Sequence, residues 1–173
     1  MEFEKVVRKR AMIRKYKEKM VEDEKIQKIL SLAWKAPSAG FTQPVEFIVV
    51  RDQKIKKQLY ESALYQEQII NAPVVIVVVS DIRRSVTRYG ERGINFYSII
   101  DGAFASMIIL LACVNEGLGA CFVGAFEDEK VQKVLNLPSY VRPIGIITIG
   151  YGDELPPKYR RIELKKIVHY DKW

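Results

Sequence analysis

A chain of 173 residues, 49% hydrophobic and 28% charged, is long enough to bury a core of its own and has the composition of an ordinary soluble globular domain. With one histidine, His169, and two cysteines, Cys113 and Cys121, that lack both C-x-x-C spacing and histidine neighbours, little is available for a zinc site or a Ser-His-Asp site, and hydrolytic chemistry is disfavoured. The formal net charge of +7 calls for either an anionic partner or a solvated basic face.

The start, Met1-Glu2-Phe3-Glu4-Lys5, is charged and lacks the apolar core of a secretory signal, so the cytoplasm is the expected compartment. Basic residues then crowd together: Arg8, Lys9, Arg10, Arg14, Lys15 and Lys17. A solvated helix face, a nucleic-acid patch and a pocket for a phosphorylated cofactor are three competing readings. Arg10 and Arg14 are four apart, which on a helical turn puts two guanidinium groups on one side, a geometry suited to one phosphate. Nucleic acid is disfavoured because few aromatic residues are interleaved with these charges.

From Asp23 to Trp34, the apolar residues Ile26, Ile29, Leu30, Ala33 and Trp34 recur at helical spacing, which predicts an amphipathic helix with Trp34 in the core and its end set by Pro37. The loop Lys35 to Pro44 follows, rich in proline and small residues, and leads into an extended run, Val45 to Val50, expected as a buried strand. Such a loop is either a rigid connector or a place where backbone and hydroxyl groups meet a ligand. Gln53 to Tyr65 predicts a charged surface helix, and the unbroken run Val74 to Val79 a central strand covered on both faces. The basic stretch between Asp81 and Asn95 is too long for a tight turn and predicts a short helix with a loop.

Phe96 to Phe126 is the segment around which the rest is expected to assemble. Ala103 to Val114 is apolar on all faces except at Ser106, which predicts a helix in a core or a subunit interface, too short in its apolar part to span a bilayer. Gly102, Ala103, Ala105 and Ser106 would let another helix come close, and Gly117 suits a left-handed cap. Ala120 to Gly124 predicts a buried strand closed by a glycine. Cys113 and Cys121 fall in this helix and strand and are read as small core residues. Glu127 to Leu135 predicts a short amphipathic helix, Ile144 to Ile149 another buried strand, and the tail from Ile162 to Tyr170 is too apolar for a free end.

Several of these pieces resemble, in order, the FMN-dependent nitroreductase family. They are Arg10 to Tyr16, Ala36 to Pro44, Gln66 to Pro73, Glu116 to Phe126, Ile149 to Gly152 and Lys158 to Arg161. The resemblance implies an α+β fold with a mixed central sheet flanked by helices, a single domain over residues 1–173, and an intertwined homodimer whose tail, about 156–173, wraps the partner. It also implies FMN as cofactor. Arg10 and Arg14, with Met12 between them, match the basic pair at the FMN phosphate and flavin, and Arg161 with Arg160 or Lys158 matches a second phosphate clamp. Pro37, Ser38 and Ala39 match the loop along the ribityl chain and ring edge. Gln66 or Gln68 falls near the pyrimidine end, and Val123 and Gly124 where backbone groups lie by the ring's N5. Family members often carry Ser at Met12, Asn at Phe41 and Trp at Val45.

Phe41 and Tyr89 are the substrate-side candidates, with core filler and solvated loop as equal alternatives. The expected activity is ping-pong hydride transfer from NAD(P)H to a nitroaromatic, quinone or similar small acceptor, with no metal and no membrane. Two alternatives remain open: an FMN protein acting on a flavin or coenzyme, and a cofactor-less basic dimer binding nucleic acid.

Overall fold

The computed structural model describes residues 1–156 and 160–173. Helices α1 (Phe3–Lys9) and α2 (Asp23–Ala33) precede strand β1 (Val45–Val50). Helices α3 (Gln53–Ser62) and α4 (Gln68–Asn71) lead to β2 (Val74–Asp81). After α5 (Ile82–Arg92) and the long α6 (Ser98–Asn115) come β3 (Gly119–Val123), α7 (Asp128–Val134) and β4 (Val141–Gly150). The strands lie in the order β1-β2-β4-β3, antiparallel at each junction. A parallel bridge between Met12 and Ala120 on the β3 edge makes the sheet mixed.

The sheet is filled from both sides. Successive strand residues point to opposite faces. Thus Val74, Ile76 and Val78 of β2 join α2 and α6 in one core, while Val75, Val77 and Val79 join α3, α4 and α7 in the other. Every residue of β2 is buried, as its unbroken apolar run predicts. The α+β architecture is therefore three-layered, with helices on both sheet faces.

Helix α6 packs on α2 and on the sheet, and Gly117 caps its end at φ +74°. The helical stretch Ile82–Asn115, kinked at Gly90, is by length and composition alone apolar enough to cross a membrane. Half of its most apolar window is nevertheless buried, so it serves as the core helix of this fold. The close approach allowed by Gly102 is made by a strand, since a Cβ there would lie 2.7 Å from the side chain of Ile144. Ile144 is the extra residue of a bulge, where β4 shifts register against β2 between Val78 and Val79. Phe104 and Met107 point away from this core and stay about half exposed, at 46% and 48%.

Two expectations are corrected. Trp34 is 63% exposed, because α2 ends at Ala33 and Trp34 starts the turn beyond it, where Lys35 sits 4.3 Å over its ring. Strand β1 is an edge strand with only Val50 fully buried, because an apolar run reports that a strand has cover and not its place in the sheet.

Candidate functional site

Arg10 and Arg14 do not lie on a helix. Helix α1 ends at Lys9, and the following residues run extended beside β3 and the end of β4. The Ile13 amide donates to the Ala120 carbonyl at 3.0 Å, and the Lys17 amide to that of Tyr151 at 2.8 Å. The Glu154 carboxylate accepts from the amides of Arg14 at 2.5 Å and Lys15 at 3.3 Å. Beneath them the Tyr16 hydroxyl bonds to the Ile13 carbonyl at 2.5 Å and to Thr148 Oγ1 at 2.6 Å, and burial raises its pKa well above the usual phenol value. A spacing of four on an extended chain also brings side chains to one side, because the period is two. Arg10, Met12 and Arg14 thus share a face, although the predicted reason was a different one.

That face lines an open groove of about 1040 Å3 together with Arg160, Arg161 and the tail residues Ile162, Leu164 and Ile167. Among the described residues, Arg8 is paired with Glu4, whereas Arg10, Arg14, Arg160 and Arg161 have no carboxylate within salt-bridge distance. Lys158 lies outside the described residues. Met12, standing where a serine is frequent, turns its sulfur to the Phe122 amide at 3.4 Å. A groove lined by guanidinium groups and apolar side chains can take an anionic ligand that also has an apolar part.

The second cluster is the loop after α2. Ser38 Oγ accepts from the Gln43 amide at 3.0 Å, and the turn Ala39–Phe41 holds Gly40 at φ +55° and Phe41 at +58°. The Ala39 amide donates to Asp101 Oδ1 at 3.0 Å, across the sheet edge in the first turn of α6. Asp101 is 1% exposed, burial pushes its carboxyl above the usual range against the opposing Ala39 bond, and Oδ2 has no hydrogen-bond partner. Sequence reasoning missed this contact; an acid opening an otherwise apolar helix was the available signal. Pro37 and Ser38 line a small cavity with Trp34, Val45 and Phe47, and this cavity shares no residue with the arginine groove.

Gln66 and Gln68 face inward. Gln66 Nε2 donates to the carbonyls of Ala63 and Ala125, each at 3.0 Å, and its Oε1 accepts from Gln68 at 3.2 Å, so the pair ties the α3–α4 turn to the loop after β3. Val123 is buried at the end of β3, and Gly124 follows with the Phe122 ring against its backbone. The two substrate-side candidates share one wall. A Cβ on Gly40 would fall 2.3 Å from the Tyr89 hydroxyl, and Phe41 is the next residue, 78% exposed. Among the described residues, no group of three His, Cys, Asp or Glu could hold a metal.

A four-stranded sheet between helical layers, with an arginine groove at its β3 edge, defines an α+β class with a basic ligand groove. The Nitroreductase family model matches residues 7–69 and 61–151. A relative from Methanothermobacter thermautotrophicus is 34% identical over 96% of this chain and 85% of its own, and carries a provisional NADH dehydrogenase/NAD(P)H nitroreductase name. The crystal structure of a nitroreductase family protein from Streptococcus pneumoniae superposes with a TM-score of 0.89 at 25% identity, covering 98% of this chain and all of that one. The NADPH:FMN oxidoreductase from Vibrio harveyi, solved with NAD+, shows the same fold with a TM-score of 0.90 at 22% identity, covering 99% of this chain and 77% of its own. The chain belongs to the nitroreductase family, oxidoreductases of the NAD(P)H/FMN type whose members typically bind FMN.

Proposed function

We propose that this chain is an FMN-dependent oxidoreductase that takes a hydride from NAD(P)H and reduces a small acceptor, such as a nitroaromatic or a quinone, in a ping-pong cycle. The observation carrying this reading is the groove lined by Arg10, Arg14, Arg160 and Arg161, which among the described residues have no carboxylate within salt-bridge distance. Bound FMN supplies the hydride-accepting and hydride-donating centre. The arginines hold its phosphate, and Met12 packs under the chain. Pro37, Ser38 and Ala39 border the ring, with Asp101 fixing the Ala39 amide. Gln66 and Gln68 steady the loop carrying Gly124, whose backbone, with that of Val123, faces the reacting edge.

The groove and the Pro37 loop lie apart in one protomer, which suits a site completed by a second copy. The protein is then a single-domain homodimer, with exposed Ile162, Leu164 and Ile167 of the tail covering the partner. Deleting the chain from Ile162 onward is expected to release monomer or aggregate in size-exclusion chromatography; an intact dimer would remove the tail from the interface.

The decisive experiment is an absorbance titration of the purified protein with FMN, followed by anaerobic NADH and NADPH. A flavin band that bleaches with a nicotinamide supports the reading. A protein that takes up no FMN discards it and leaves salt-sensitive nucleic-acid binding to be measured. Arg10→Ala is expected to weaken FMN at least tenfold, since charge-assisted hydrogen bonds contribute about 1.5–3 kcal/mol each.

A further inference from the structure

The arginines of α5 are of two kinds. Arg83 is bound to the Asp81 carboxylate at 2.7 Å and lies 3.5 Å over the Tyr140 ring, while Arg84 pairs with Glu46 and Asp81. Arg88 and Arg92 have no carboxylate within salt-bridge distance among the described residues. The acid between them, Glu91, accepts a hydrogen bond from Asn95 at 3.0 Å. Arg88 donates to the Gly40 carbonyl at 3.2 Å with its guanidinium 5.7 Å from the Tyr89 ring. Arg92 lies 4.5 Å over the Phe96 ring and donates to the Tyr97 hydroxyl at 3.2 Å.

These cations are set among rings. Tyr89 and Tyr97 meet edge to face at 4.9 Å, and Phe96 and Tyr97 at 5.5 Å. The backbone that makes the cluster is irregular: α5 breaks at Gly90 (φ 52°, ψ −139°), and Gly93–Tyr97 is a π-helical turn, a feature frequent at functional sites. Across from it, Phe41 is exposed at a positive φ that is uncommon for a bulky side chain, next to Gly40, whose Cβ position is closed off by Tyr89 and Arg88.

We infer that Phe41, Arg88, Tyr89, Arg92 and Phe96 form an acceptor-selecting wall that favours planar aromatic molecules carrying a negative group. Rings provide stacking faces for a planar substrate, and a guanidinium offers a planar fork that matches a carboxylate. A wall built only for neutral quinones would gain nothing from two cations left without counter-charges. The inference rests on the flavin reading above, which sets Pro37 to Ala39 beside the isoalloxazine ring and so places Gly40 and Phe41 at the mouth of the site.

The test isolates the acceptor half of the reaction. In the full cycle, 4-nitrobenzoate, NAD(P)H and a proton give 4-nitrosobenzoate, NAD(P)+ and water. FMN-loaded protein is photoreduced without nicotinamide and mixed anaerobically with 4-nitrobenzoate or with neutral 4-nitrobenzyl alcohol, and free reduced FMN provides the intrinsic reactivity of each. The wild type is expected to favour the anion about tenfold over free flavin, and added salt to erode that preference. Arg88→Gln with Arg92→Gln is expected to abolish it, and Arg92→Lys, which keeps the charge, to retain part of it. Equal selectivity in wild type and double variant overturns the inference. So does a double variant that loses only its reduction by NADPH, which would assign these arginines to the dinucleotide phosphates. Failure to take up FMN sinks the flavin reading instead; calorimetry of the two nitro compounds against the protein then reads the anion preference directly, and equal binding overturns it too.

Discussion

Strand β2 and the segment Arg10 to Arg14 are both extended and both pinned by backbone hydrogen bonds, yet their side chains have opposite fates. All eight residues of β2 are buried, and its two faces are consumed by two separate cores. In the basic segment only Ile13 is buried, sitting against Gly119 of β3, while its neighbours turn outward to the groove. Apolar side chains on both faces of a strand require cover and produce stability. An extended segment anchored by its backbone alone leaves its side chains available, and Glu154 supplies much of that anchoring. The interior is therefore where substitutions should unfold the chain, and the rim is where they should change binding with the fold intact.

The largest effect is expected in the interior. Ile76→Ala empties space between the sheet and α6 and should cost about 2–5 kcal/mol in denaturant unfolding; a loss no larger than that of a surface variant would show that the core relaxes around the cavity. Asp101→Ala joins the two regions, since it orphans the Ala39 amide at the edge of the core and should cost about 1–3 kcal/mol. Its pH dependence has a definite sign. Burial raises the Asp101 carboxyl in the folded state, so its contribution is complete below the unfolded value and is lost as pH rises through the folded one. The wild-type advantage over Asp101→Ala in thermal melts should then be largest in acid and shrink toward neutrality; a growing advantage would mean that the carboxylate is ionised in the fold.

At the rim, Arg14→Ala should weaken FMN about tenfold in an equilibrium titration while the unfolding midpoint stays put. A drop in both would mean that Arg14 belongs to the scaffold. The smallest effect is expected at Lys130, whose pair with Glu127 is solvated and which should shift no midpoint measurably on replacement by alanine.

Much of this chain is legible in its sequence, element by element. The β-branched run of β2, the apolar length of α6 and Gly117 at its end each predict the element found. The arginine pair is legible as a shared face even though its backbone is extended and not helical. Trp34 was misplaced because a helical stripe continues on paper past the residue where the helix stops. Gln66 and Gln68 stand out as polar residues beside an apolar strand, but their amides are engaged with each other and with the Ala125 carbonyl, which no local pattern announces.

Periodicity, glycine placement and charge act over a few residues, so the sequence by itself determined the strands, the helices, the basic character of the rim and the family. Tertiary structure decided which cations keep a counter-charge and which do not. Glu154 reaches the amide of Arg14 across a separation of 140 residues, and Asp101 reaches that of Ala39 across 62. Arg83 and Arg84 are paired with carboxylates, while among the described residues Arg88 and Arg92 of the same helix are not. Such pairings depend on where the sheet brings distant backbone together, and local sequence carries no term for that distance.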